Sequence, residues 1–153
     1  ILESVHDPEI PVLSVVDLGV VRSVEQNETG LEIYITPTYS GCPAMDTIAL
    51  DIRTALEQAG YTGVKVNLVL QPAWTTDWLS EAGKQKLLAY GIAPPVEPLT
   101  STKALFGAEP IVSCPQCGSQ HTIMLSRFGS TACKALYRCE ECLEPFDYFK
   151  CLR

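Results

Sequence analysis

The sequence predicts an α+β chain in two parts: a small two-layer domain, then a short ribbon held together by four cysteines. Three observations predict it. Residues 31–36 and 64–70 alternate apolar and polar side chains, the pattern of half-buried strands. Between them Met45, Ile48, Ala49, Ile52, Leu56 and Ala59 recur at helical spacing. Six of the seven cysteines fall after residue 113, four of them as two Cys-x-x-Cys pairs. The expected domains are 1–91 and 111–153, joined by a linker over 92–110.

The first domain opens on Asp7-Pro8-Glu9-Ile10-Pro11, where two prolines impose an extended, turn-rich path. Residues 12–16 are mostly apolar, Asp17-Leu18-Gly19 marks a turn, and 20–24 reads as a strand. Residues 26–30 connect it to the alternating strand over 31–36. Pro43 suits the start of a helix whose apolar face runs to Ala59, and Gly60 stops it. The strand over 64–70 ends at Pro72. Trp74-Thr75-Thr76-Asp77-Trp78 follows, its tryptophans read as core or as a docking face. A second helix over 80–90 is halted by Gly91. Four prolines among residues 92–110 mark the linker.

Composition narrows the function classes. The chain has 153 residues, 46% of them hydrophobic and 19% charged, as in a folded protein. No apolar run approaches the ~18 residues of a membrane-spanning helix, and the start lacks both the basic segment and the apolar run of a signal peptide. The chain therefore reads as cytoplasmic, with its N-terminal end trimmed. The net charge of −7 resides in residues 1–91, which carry five basic and twelve acidic side chains. Without a Lys/Arg cluster, nucleic acid is not an expected partner.

The ribbon needs a staple because so few residues cannot bury a sufficient core. Cys114-Pro115-Gln116-Cys117-Gly118 and Cys139-Glu140-Glu141-Cys142 are two knuckles separated by 21 residues. Two intervening residues let each knuckle turn both sulfurs onto one ion, and four thiolates make a tetrahedral site that suits structural zinc. An iron–sulfur cluster on the same thiolates is the competing reading. Strands are expected over 122–126, 135–138 and 146–150. Cys133 and Cys151 read as buried apolar residues, and His121 as a loop residue rather than a ligand.

Cys42 is the remaining thiol. It lies between a strand and a helix, where unpaired N–H groups and the helix dipole are expected to favour a thiolate. That thiolate would ligate metal transiently or attack an electrophile, His6 being the nearest base to consider. Neither Glu-x-x-His pairs for a di-iron site nor dinucleotide or ATP loops occur, so the chain is not expected to be an enzyme.

The run Asp7-Pro8-Glu9-Ile10-Pro11, Asp17-Leu18-Gly19 and Thr36 to Gly41-Cys42-Pro43 resembles the small domain of iron–sulfur assembly factors, including SufT-like proteins. With Pro72 to Trp78 and the ribbon segment Gly129-Ser130-Thr131-Ala132-Cys133-Lys134 leading to Cys139, nearly the whole chain is similar to a family of small subunits of the bacterial phenylacetyl-CoA epoxidase (ring 1,2-oxygenase) system. The resemblance implies an iron–sulfur-assembly-type α+β domain before the zinc ribbon. It implies a non-catalytic accessory role in maturing iron or iron–sulfur centres of the oxygenase or reductase subunits, with a structural or electron-path subunit as the alternative. It carries over Cys42 as the residue that handles iron or a transient cluster, with Asp17 and Thr36 as supporting groups. Transient ligation by a lone thiol also allows a homodimer in which each chain lends its Cys42.

Overall fold

The computed structural model describes residues 1–96 and 110–151. Residues Ile1–Gly83 form one compact unit and Lys84–Cys151 a second.

The first unit is a three-stranded sheet with a helix. Strands β1 (Val21–Asn27) and β2 (Gly30–Ile35) form an antiparallel hairpin, and β3 (Lys65–Leu68) pairs parallel to β2. A parallel partner demands a crossover, and helix α1 (Ala44–Gln58) supplies it. Ala44, Met45, Ile48, Ile52 and Leu56 are buried, as the apolar period requires. On β2, Leu31, Ile33 and Ile35 alternate inward on the same core.

The opposite register of β2 is polar and hydrogen-bonded. Glu32 accepts from the Tyr34 hydroxyl at 2.9 Å and from Asn27 Nδ2 at 3.1 Å. The Tyr34 bond chiefly holds the Glu32 carboxyl below its usual pKa.

The N-terminal motif is an excursion closed at its base. His6 and Ser14 form an antiparallel bridge, and Asp7 N donates to Leu13 O at 2.9 Å. Inside the excursion Asp7 Oδ1 accepts from Glu9 N and Ile10 N, both at 2.8 Å, while Ile10 and Leu13 are buried. Residues 12–16 therefore turn rather than extend, with Leu13 and Val15 anchored in the core.

Helix α2 (Glu81–Tyr90) is capped by Ser80, whose Oγ accepts from Gly83 N at 2.8 Å. Ser80 Oγ also donates to Asp17 Oδ1 at 3.1 Å. Asp17 Oδ2 accepts from Ser14 N and Ser14 Oγ at 3.1 and 2.9 Å. One residue on, Leu18 O accepts from Trp74 Nε1 at 2.9 Å. Asp17-Leu18-Gly19 is thus a clasp that ties the N-terminal turns to the segment before α2. Trp74 is buried in it, and the Arg22 guanidinium lies over the Trp78 ring at 3.4 Å.

In the second unit β4 (Thr122–Ser126), β5 (Lys134–Cys139) and β6 (Pro145–Phe149) form an antiparallel sheet with β5 central. Ala135, Tyr137, Phe146 and Tyr148 share its apolar cluster with Val112. The expected linker differs here. Ala93 N donates to Asp147 O at 2.8 Å and Phe149 N to Ala93 O at 2.9 Å, a parallel bridge that extends the sheet. Ile92 and Ala93 are buried, so their apolar character outweighs the prolines that follow. Residues 97–109 of that stretch lie outside the described residues. No described helix is long and apolar enough to cross a membrane.

Candidate metal centres

The four ribbon cysteines converge. Their sulfurs all lie within 4.8 Å of one another, with Cys114 to Cys142 at 3.7 Å and Cys117 to Cys139 at 3.6 Å. Four sulfurs at ~2.3 Å from a tetrahedral ion stand about 3.8 Å apart, so the set fits a zinc-sized ion. The spacing arises from the backbone. Cys114 N donates to Ser119 O at 2.8 Å and Cys139 N to Glu144 O at 3.0 Å, each bond closing the turn that follows its cysteine. Cys114 and Cys139 are buried, and Cys117 and Cys142 face solvent. Backbone N–H donation from Cys142 leads the groups that pull the Cys139 thiol down to about 6.

His121 stands outside the tetrad. Its Nδ1 lies 2.9 Å from Glu141 Oε1, and both side chains are exposed. Cys133 is buried within 3.0 Å of Thr131 Oγ1, and Cys151 is half-buried.

Cys42 occupies the turn before α1. Its N–H donates to Tyr39 O at 3.2 Å, and its carbonyl accepts from Met45 N at 3.4 Å. The expectation of a favoured thiolate is corrected here. Burial pushes the Cys42 thiol above its ordinary pKa, and it outweighs the Ala44 N–H and the Tyr39 side chain, which pull downward. The carboxylates of Glu9 and Asp7 add to the upward push. The helix-start rule considers the N–H groups alone; burial of the sulfur reverses the outcome, and the acidic groups of the excursion add to it. Among the described residues, the group that gathers three or more metal-binding side chains is the ribbon tetrad, and Cys42 is not in it.

Thr36, at the end of β2, is buried, and its N–H donates to Val20 O at 2.8 Å. Its Oγ1 is the buried side-chain polar atom that lacks a hydrogen-bond partner among the described residues. Such a hydroxyl costs roughly 1–3 kcal/mol relative to an apolar group of its shape. Thr36→Val is therefore expected to raise the unfolding free energy by about 1 kcal/mol or more in urea denaturation. A loss of stability would mean that the hydroxyl has a structural partner.

Comparison with known proteins matches both halves. Residues 1–68 fit the family model for an iron–sulfur cluster assembly protein, and residues 98–150 that of the PaaD zinc beta ribbon domain. A protein of Escherichia coli (strain K12), named as the D component of a "Putative 1,2-phenylacetyl-CoA epoxidase", is 51% identical over 152 residues, covering 99% of this chain and 90% of that one. The chain belongs to the PaaD family. Within that family's first domain, similarity extends to an Fe-S protein maturation auxiliary factor of Porphyromonas gingivalis (strain ATCC BAA-308 / W83). It is 40% identical over 88 residues, spanning 56% of this chain and 83% of the relative. The crystal structure of a domain of unknown function, DUF59, from Bacillus anthracis superposes with a TM-score of 0.53 and 32% identity over 56% of this chain and 83% of that one.

For this PaaD-family chain, the sequence pointed to Thr36 but not to its buried hydroxyl, which lacks a partner among the described residues. Asp7, Glu9 and Asp17 read from the sequence as turn and capping residues, with a hydrogen-bonding role beside Cys42 as the alternative. In the structure Asp7 and Glu9 act on Cys42 through their charge, from more than thirty residues away.

Proposed function

We propose that the chain is a non-catalytic accessory subunit of a phenylacetyl-CoA epoxidase system that assists delivery of iron or an iron–sulfur centre to the oxygenase or reductase subunits. The observation that carries this reading is the setting of Cys42: a half-buried thiol whose pKa is raised by burial and by the carboxylates of Glu9 and Asp7. Such a setting penalises a bare thiolate and therefore a free nucleophile. A cation relieves both penalties at once.

Binding of iron would release the Cys42 proton, and Asp7 and Glu9 would add their negative field. Departure of the iron would return the sulfur to its protonated form, which this environment prefers. The raised thiol thus favours release, while the negative field of Asp7 and Glu9 favours capture. With fewer than three ligands gathered at Cys42 among the described residues, the cargo would be shared, with a recipient or with Cys42 of a second copy. Thr36 would lend its unpaired hydroxyl to this site, and Asp17 would support it through the clasp. The ribbon tetrad would hold zinc as a staple, and the work would take place in the cytoplasm.

The test is the iron content of the oxygenase and reductase subunits, produced with this chain, without it, and with Cys42→Ala. Omission and the variant are both expected to lower iron several-fold in at least one of those subunits, while zinc in the chain itself stays unchanged. Equal iron in all three preparations would overturn the proposal.

A further inference from the structure

The two cysteine knuckles share two backbone features, but a different residue follows each. In both, the N–H of the first cysteine donates to the carbonyl five residues on. In both, the residue after the second cysteine has a left-handed backbone: Gly118 at φ +75° and Leu143 at φ +65°. Glycine adopts that conformation freely, whereas a leucine suffers a clash between its Cβ and the backbone. Leu143 is the non-glycine residue with positive φ among the described residues, and it is 67% exposed. The cost has no return inside the ribbon, because the apolar cluster of Val112, Ala135, Tyr137, Phe146 and Tyr148 does not include it.

Its surroundings indicate what it meets. Glu140, Glu141 and Glu144 flank it and are exposed. Four thiolates on one divalent ion would add two further negative charges. Glu141 has His121 as a partner at 2.9 Å, and Arg138 at the exposed end of β5 precedes the group. The result is a single apolar side chain on a strained turn within an acidic collar.

We propose that the second knuckle is a docking knob, on which Leu143 enters an apolar pocket of a partner protein rimmed by lysine or arginine. Charge complementarity selects that partner, since the collar repels an acidic rim and attracts a basic one. A second copy of this chain fits poorly, because its own net charge is −7. Placing the pocket on another subunit of the epoxidase system rests on the accessory function proposed for the chain.

The experiment measures binding of the intact, metal-loaded chain to the remaining subunits of a 1,2-phenylacetyl-CoA epoxidase prepared without this one, at low and high salt. Leu143→Gly restores the residue found in the first knuckle, so thermal stability should hold or rise. Affinity should nevertheless fall ~10-fold or more, the behaviour of a buried apolar anchor. Leu143→Asn, which also tolerates the left-handed backbone, should behave alike. The double variant Glu140→Gln, Glu144→Gln should slow association and flatten its salt dependence. Unchanged affinity in Leu143→Gly would overturn the knob, and so would a loss of affinity matched by a loss of stability, which would make Leu143 a folding residue. Failure of the unaltered chain to bind those subunits would overturn its placement in the epoxidase system, and the pocket with it.

Discussion

Stripping the metal from the ribbon is expected to unfold the second unit and leave the first intact. The second unit's apolar cluster is small: Val112, Ala135, Tyr137, Phe146 and Tyr148 are its main members. Four thiolates closing on one ion contribute on the order of 10 kcal/mol in modules of this size, comparable to the whole stability of a domain. Without the ion, the buried sulfurs of Cys114 and Cys139 lose the charge partner that draws the knuckles together. The first unit has its own core in Leu13, Val20, Ile33, Ile35, Ile48 and Ile52, and none of these depends on the tetrad.

The chain carries a built-in probe for this separation. Both tryptophans, Trp74 and Trp78, lie in the first unit. Under reducing conditions, a chelator should abolish hydrogen-exchange protection at the β5 amides while tryptophan emission stays constant. Re-addition of zinc should restore protection. Persistent β5 protection in metal-free protein would refute the staple, and a parallel tryptophan change would show that the first unit depends on it too.

What the sequence revealed was what lies close together along it. Helix α1 was legible because one face is buried for its full length, so Met45, Ile48, Ile52 and Leu56 kept the period. The tetrad was legible because each knuckle is local and needs only the correct spacing. Illegible features depend on distant partners. The Trp74 bond to Leu18 spans 56 residues and the Ser80 bond to Asp17 spans 63, and no periodicity encodes either. Ile92 and Ala93 look like linker until β6 is present to accept them. The ionisation of Cys42 was misjudged for the same reason: local N–H groups are visible in sequence, whereas burial and the field of Asp7 and Glu9 are not. Leu143 is intermediate, since its oddity shows once Cys-Leu is set beside Cys-Gly in the other knuckle.

Gly19→Ala is expected to be among the most destabilising single substitutions in the first unit. Two costs coincide. Gly19 has φ +67°, where a Cβ costs roughly 1–2 kcal/mol. That Cβ would also overlap the Trp78 carbonyl oxygen and lie 2.8 Å from Trp78 C and Cβ. Since two of those three atoms are backbone, no rotamer change relieves the overlap, and overpacking of this kind costs roughly 1–3 kcal/mol more. Moving the Trp78 segment away strains the Trp74 bond to Leu18 O and the Ser80 N–H bond to Asp17 O, at 2.9 and 2.8 Å. Each is worth about 1 kcal/mol. A total of about 4 kcal/mol is a large part of the 5–15 kcal/mol that holds a typical domain. Gly60→Ala is the control: φ there is +94°, but nothing lies within 4 Å of its Cβ, so it bears the backbone cost alone. Urea denaturation followed by tryptophan emission should separate the two variants by ~2 kcal/mol or more. Equal losses would mean that Trp78 yields freely, and the clasp would then not be the rigid seat from which Asp17 holds the N-terminal turns.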